Sequence, residues 1–145
     1  MDGNAAKTIK GGSYALWVRR NKGTGLQTGK KRSIYYPAGD YLYFGRAQKG
    51  LLKRLERHAR VDKRLFWHID YLLDDSGSRL LNSFILSADP EDECRAAAAV
   101  LNRRRCEAVA GFGNSDCKKG CLSHLVYFPR KLSQKELEEL LKTCL

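Results

Sequence analysis

The sequence predicts an α+β domain, and three observations carry the prediction. Three short aromatic and β-branched segments in the first 45 residues are separated by turns bearing glycine and proline, as in an antiparallel meander. After Gly50 the apolar period lengthens from two residues to the roughly 3.6 of a helix. Strand-like and helical segments then succeed one another without repeats or a low-complexity linker, and 145 residues fit one domain of the usual roughly 100–200.

Residues 13–18 (SYALWV) form the first expected strand. Residues 21–29 contain Gly23, Gly25 and Gly29 and read as a turn or loop. Residues 33–36 and 41–45 are two further strands around a Pro37-Ala38-Gly39-Asp40 turn. Tyr41 and Tyr43 alternate with Leu42 and Phe44, so they share one face of a strand that runs into Gly45. Over 50–60, Leu51, Leu52, Leu55 and Ala59 make an apolar stripe, while Lys53, Glu56, Arg57 and Arg60 face away. Residues 66–73 are apolar and open as to type, and 80–86 read as a strand. Asp89 before Pro90 supplies an N-cap and a first-turn proline, opening a helix to about Arg105. A glycine-rich polar loop over 111–120 and a last strand over 122–128 follow. Ser133 caps a short helix, about 133–144, that carries Leu137, Leu140 and Leu141.

Lysine and arginine total 27 against 16 acidic residues, a net charge of +11. Such a surplus points to a polyanionic partner, because basic side chains on phosphates release condensed counterions; a generic basic surface is the bland alternative. The charge is concentrated in Lys30-Lys31-Arg32, between Lys49 and Lys63, and in Arg103-Arg104-Arg105. The middle group mixes with leucines at helical spacing and so belongs to a folded face. Arg46, Lys49, Lys53 and Arg57 are the expected phosphate contacts, with a nucleic acid the expected partner. No apolar run approaches the ~18 residues of a membrane span, and residues 1–12 lack the apolar stretch of a signal peptide. The expectation is a soluble cytoplasmic protein with no membrane partner. Its five cysteines are an odd number, and reduced thiols are the default.

The chain has three histidines, His58, His68 and His124, each inside a dense polar and aromatic motif. Arg54 and His58 are four apart on the first helix and fall at the border of the leucine stripe. A border arginine folds its stem onto the core and aims its planar fork into a cleft, or else pairs with a surface acid. Glu93 shares a helix side with Ala97 and Val100, where a carboxylate is costly unless a cation or donor neutralises it. It is therefore a candidate ligand for a hard divalent metal; an acid stabilised by the helix N-terminus is the competing reading. Cys117-x3-Cys121-x2-His124 offers three zinc ligands within eight residues, with Asp116, Cys94 or Cys106 the candidates for the fourth. A Cys117–Cys121 disulfide or buried thiols explains the same residues.

These pieces fall into one order. Gly12-Ser13-Tyr14 and Tyr43-Phe44-Gly45 resemble the two signatures of the GIY-YIG nuclease family. Arg54-x3-His58 is similar to that family's arginine and histidine on its first helix, His68 sits where some members carry a further histidine, and Glu93 where a metal-binding glutamate opens a later helix. The phrases WHIDYLL, DEC, GFGNSDC and SHLVYF resemble a branch sometimes fused to endonuclease III-like repair enzymes. The resemblance covers a core of about 12–128. It implies a small three-stranded antiparallel sheet flanked by helices, with a hairpin inserted around 21–36 and a shallow basic cleft.

By the same resemblance the protein is a metal-dependent endonuclease acting on DNA in repair or processing. Mg²⁺ or Mn²⁺ on Glu93 would act as Lewis acid, and Arg54 would neutralise charge building on the phosphoryl oxygens. Tyr14, near Tyr43, is the family's candidate base, and His58 or His68 is the chemical alternative because imidazole titrates near ~6.5. Two other classes compete: a nucleic-acid-binding module without catalysis, and a zinc-stabilised domain built on Cys117, Cys121 and His124.

Overall fold

A computed structural model describes residues 10–27, 33–65, 67–103, 105–109 and 123–145. Strand β1 (Gly12–Arg20) buries Ala15 and Trp17 on one face and Leu16 and Val18 on the other, so its apolar run is nearly continuous. It pairs antiparallel with β4 (Gly39–Ala47), Gly12 opposite Ala47 and Arg20 opposite Gly39. Its other edge pairs antiparallel with β5 (Ser78–Ser87). With β6 (Glu107–Ala108) and β7 (Leu125–Phe128), the sheet order is β5-β1-β4-β7-β6.

The class is α+β, as expected, but the central sheet has five strands and not three. The meander of three consecutive strands does not form. β3 (Ser33–Tyr36) leaves the sheet and pairs with β2 (Thr24–Gln27) in a separate hairpin, so the expected loop over 21–29 contains a strand. The short alternating pattern of 33–36 suits any antiparallel neighbour. The two edges of β1 are instead taken by the longest available partners, β4 and β5.

Four helices cover the sheet among the described residues. On one face, α1 (Leu51–Ala59), α2 (His68–Asp74) and the hairpin enclose Tyr14, Leu16, Val18, Tyr41, Leu51, Ile69 and Leu72. On the other, α3 (Asp92–Arg103) and α4 (Gln134–Lys142) pack Ala96, Ala97, Val100, Leu137 and Leu140 over Ala15, Trp17, Leu42 and Phe44. α3 starts after a turn in which Asp89 Oδ1 accepts from the Glu91 N–H at 2.9 Å, and it stops short of Arg105. Ser133 and Glu136 make the reciprocal capping box of α4. No helix of the described residues is long and apolar enough to cross a membrane.

α1 departs from its apolar stripe. Its most buried residues are Leu51 and His58, while Ala59 is exposed. A histidine takes the inner position because the sheet presents it with a hydroxyl partner, Tyr14.

Asp40 ties the far end of the sheet together. Its buried carboxylate accepts from Trp17 Nε1 (2.9 Å), Arg19 Nε and Nη2 (2.8 and 3.0 Å) and the Leu132 N–H (2.7 Å). Asp40→Ala leaves two buried N–H groups unpaired and takes from Arg19 its carboxylate partner, and the expected loss is about 2–5 kcal/mol by urea unfolding. An unchanged midpoint would show that solvent replaces these contacts.

Candidate active site

The cleft opens where β1 begins and β4 ends. In register, Tyr14 of β1 faces Gly45 of β4, and a Cβ at Gly45 would overlap the Tyr14 ring. The glycine thus lets tyrosine lie flat against the neighbouring strand. Tyr14 and Tyr43 come from these strands, Arg54 from α1, Trp67 from the start of α2, and Glu93 from the first turn of α3. Arg46 and His124 complete the lining of a cleft of about 170 Å³.

Behind the cleft, the Tyr14 hydroxyl is hydrogen-bonded to His58 Nε2 at 2.8 Å, both groups buried. His58 also packs against the Tyr43 and Trp67 rings, and its Nδ1 has no hydrogen-bond partner among the described residues. Burial, chiefly, pushes its pKa down to about 4; Asp70 opposes the shift, and Lys63, Arg57 and Arg54 add to it. Burial likewise holds the Tyr14 hydroxyl well above the ordinary phenol range, with Arg54 pulling it back and Glu93 pushing it further. Tyr43 shifts upward for the same first cause, with Tyr14 and Glu93 adding. At neutral pH the pair is a neutral imidazole bonded to a protonated phenol.

The depressed pKa makes stability depend on pH. Between about 4 and the unfolded value near 6.5, the unfolded chain holds the His58 proton and the folded chain does not. The stability is therefore fully present above about pH 6.5 and falls as pH drops towards 4, by about 3 kcal/mol in all. Urea midpoints across this window should fall less steeply in His58→Gln than in the wild type. Parallel curves would mean that His58 titrates normally.

Two guanidinium groups stack on Trp67, that of Arg54 at 4.7 Å and that of Arg57 at 4.4 Å from the ring centroid. Asp70 anchors this arrangement: it accepts both Nη atoms of Arg57 at 2.9 Å and caps the Trp67 N–H at 2.8 Å. Arg57, expected as a phosphate contact, thus commits its fork to the protein. Arg54 donates Nη1 to the Arg46 carbonyl at 2.6 Å. Stacking and that bond together hold its guanidinium against the cleft.

Glu93 is 7% exposed and is the one carboxylate lining the cleft among the described residues. Arg46 Nε lies 3.9 Å and His124 Nδ1 3.8 Å from its Oε1. On the other side of the imidazole, Cys94 Sγ is 3.6 Å from Nε2. Glu93, Cys94 and His124 place one donor atom each within 4.8 Å of one another, a group able to hold a metal ion.

Of the residues expected from sequence, Tyr14, Tyr43, Arg54 and Glu93 line this cleft and His58 backs it. His68 opens α2 and is not among the lining residues. Arg46 lines the cleft, whereas Lys49 and Lys53 are exposed beside it in sequence. Cys117 and Cys121 lie outside the described residues, while His124 meets Glu93 and Cys94. Trp67 was not expected; the signal was its place three residues before Asp70, at the start of a helix.

A larger hollow of about 630 Å³ lies at the opposite end of β1. Three of its arginines are engaged: Arg19 with Asp40, Arg20 with Asp75, and Arg130 with Glu136. The smaller cleft instead gathers hydroxyl, guanidinium, imidazole and carboxylate groups.

A family model described as a domain of unknown function, DUF123, matches residues 13–145. No curated protein and no solved structure matches the chain.

Proposed function

The chain belongs to the DUF123 family, and from its cleft we propose that it is a metal-dependent endonuclease of GIY-YIG type, hydrolysing phosphodiester bonds in DNA. One observation carries the reading: the Tyr14 hydroxyl, the Arg54 guanidinium and the Glu93 carboxylate border a single polar cleft. The net charge of +11 supports a polyanionic substrate.

The residues fit a hard divalent cation. Glu93 presents an anionic oxygen at the cleft, and Mg²⁺ commonly takes only one or two protein carboxylates, with waters and phosphate oxygens supplying the rest. Such a cation, Mg²⁺ or Mn²⁺, supplies Lewis-acid stabilisation of charge on the phosphate.

The chain's own groups do the rest. Arg54, fixed by Trp67 and the Arg46 carbonyl, turns its remaining donors to the phosphoryl oxygens as charge builds there. Tyr14 is too weak an acid to act as a free phenolate. It takes a proton from the attacking water while passing its own to His58 Nε2, which is neutral at pH 7 and ready to receive it. The new P–O bond forms as the bond to the 3′ oxygen breaks, and that oxygen is protonated from solvent. The incoming phosphate brings negative charge towards the pair and favours the imidazolium.

The low basicity of His58 also favours a second reading, a DNA-binding module without chemistry. Labelled single-stranded, duplex and branched DNA, each incubated with Mg²⁺, Mn²⁺ or EDTA, separates the two. Products in the metal lanes alone support the nuclease; binding without products on every substrate supports the module. Arg54→Ala should lower cleavage ~10²–10³-fold. Arg54→Lys should rescue little, because lysine has neither the planar fork nor the stacking face; full rescue would reduce Arg54 to a point charge.

A further inference from the structure

We propose that Glu93, Cys94 and His124 form a binding site for a borderline-soft divalent cation of the zinc class. The donor atoms converge: one ligand atom from each residue lies within 4.8 Å of the others, with Cys94 Sγ 3.6 Å from His124 Nε2. Thiolate and imidazole ligands at about 2.0–2.3 Å from a tetrahedral ion stand roughly 3.3–3.8 Å apart, which Cys94 Sγ and His124 Nε2 match, while Glu93 Oε1, now against Nδ1, reaches the ion by a small side-chain shift. Glu93 and His124 are buried and Cys94 is half-buried, so the ligands need little ordering on binding. The backbone carbonyl of His124 accepts the Phe44 N–H at 2.8 Å, which pins the histidine to the sheet. Glu93 and Cys94 sit in the first turn of α3, beside a positive helix end that favours the thiolate form.

The donor chemistry selects the ion. Magnesium prefers an all-oxygen shell, whereas a thiolate with an imidazole and a carboxylate suits zinc and its neighbours. Three protein ligands leave one position for water, the pattern of an open site rather than a closed structural one. Cys94 does not line the cleft, so the ion lies at its wall behind Glu93. Cys117 and Cys121, expected beside His124 in a zinc cluster, are not needed for this site. One consequence rests on the nuclease reading: because Glu93 is shared, zinc and magnesium compete and zinc inhibits cleavage. The binding itself does not depend on that reading.

Two DNA-free measurements test it. The purified chain is alkylated with iodoacetamide with and without Zn²⁺, and the rate at each cysteine is read by peptide mass mapping. Zinc is expected to slow Cys94 at least about tenfold in the wild type, and His124→Ala to lose the protection. Co²⁺ in place of zinc is expected to give a thiolate-to-cobalt charge-transfer band that Cys94→Ser removes. Alkylation of Cys94 indifferent to zinc, or a band that survives Cys94→Ser, overturns the site. Either result leaves the cleavage assay to judge the nuclease reading separately.

Discussion

Glu93→Gln is expected to lower metal-dependent DNA cleavage by at least ~10³-fold while leaving DNA affinity within a few-fold of the wild type. The substitution keeps the side chain's shape and removes only its charge. Arg46 and Arg54, which bring positive charge to the cleft, are untouched, so binding of the phosphate backbone persists. The structural effect is small, because a first-turn acid contributes only about 0.3–1 kcal/mol through the helix dipole. Single-turnover rates beside fluorescence anisotropy on the same preparation separate the two quantities. Cleavage at the wild-type rate would remove Glu93 from the chemistry.

Tyr14→Phe is the second large effect, an expected loss of ~10²–10⁴-fold in kcat/KM from the missing proton-transfer group. Only the hydroxyl is lost, and the ring still packs over Gly45. His58 Nε2 then lacks its partner at 2.8 Å, costing about 1–3 kcal/mol of stability. Melting curves show whether the variant is folded at the assay temperature. If Tyr14 hands its proton to His58, the wild type stays active well below pH 6.5, because the imidazole remains neutral down to about 4. A wild-type acid limb centred near 6.5 would instead point to a base other than the Tyr14–His58 pair.

The parts of the fold legible in the sequence are those set by local chemistry. Residues 13–18 read as a strand because they are aromatic and β-branched, and Ser133 signals its helix as an N-cap. Pairing is not local. Nothing within residues 33–36 distinguishes a place beside β1 from a place in a hairpin with β2, and only the whole sheet decides. Nor does a stretch as short as Glu107–Ala108 carry a period of its own.

The site divides in the same way. Tyr14, Tyr43, Arg54 and Glu93 are recognisable by order and residue type, and folding brings them to one cleft. The inward turn of His58 is invisible on a helical wheel, which scores it polar, because its partner lies 44 residues away in sequence. The meeting of His124 with Glu93 and Cys94 likewise needs α3 packed beside the strand that follows His124. The stacking of two guanidiniums on Trp67 depends on Asp70 holding Arg57 from the next helix.

The central claim is hydrolysis of a phosphodiester by water at this cleft. Its most direct test is single-turnover cleavage with Mg²⁺ in ¹⁸O-water, followed by mass spectrometry of the product ends. The account predicts one solvent oxygen in the new 5′ phosphate, opposite an unlabelled 3′ hydroxyl, and no product when EDTA replaces the metal. Products without solvent oxygen, or no product from any DNA form with either metal, would contradict it.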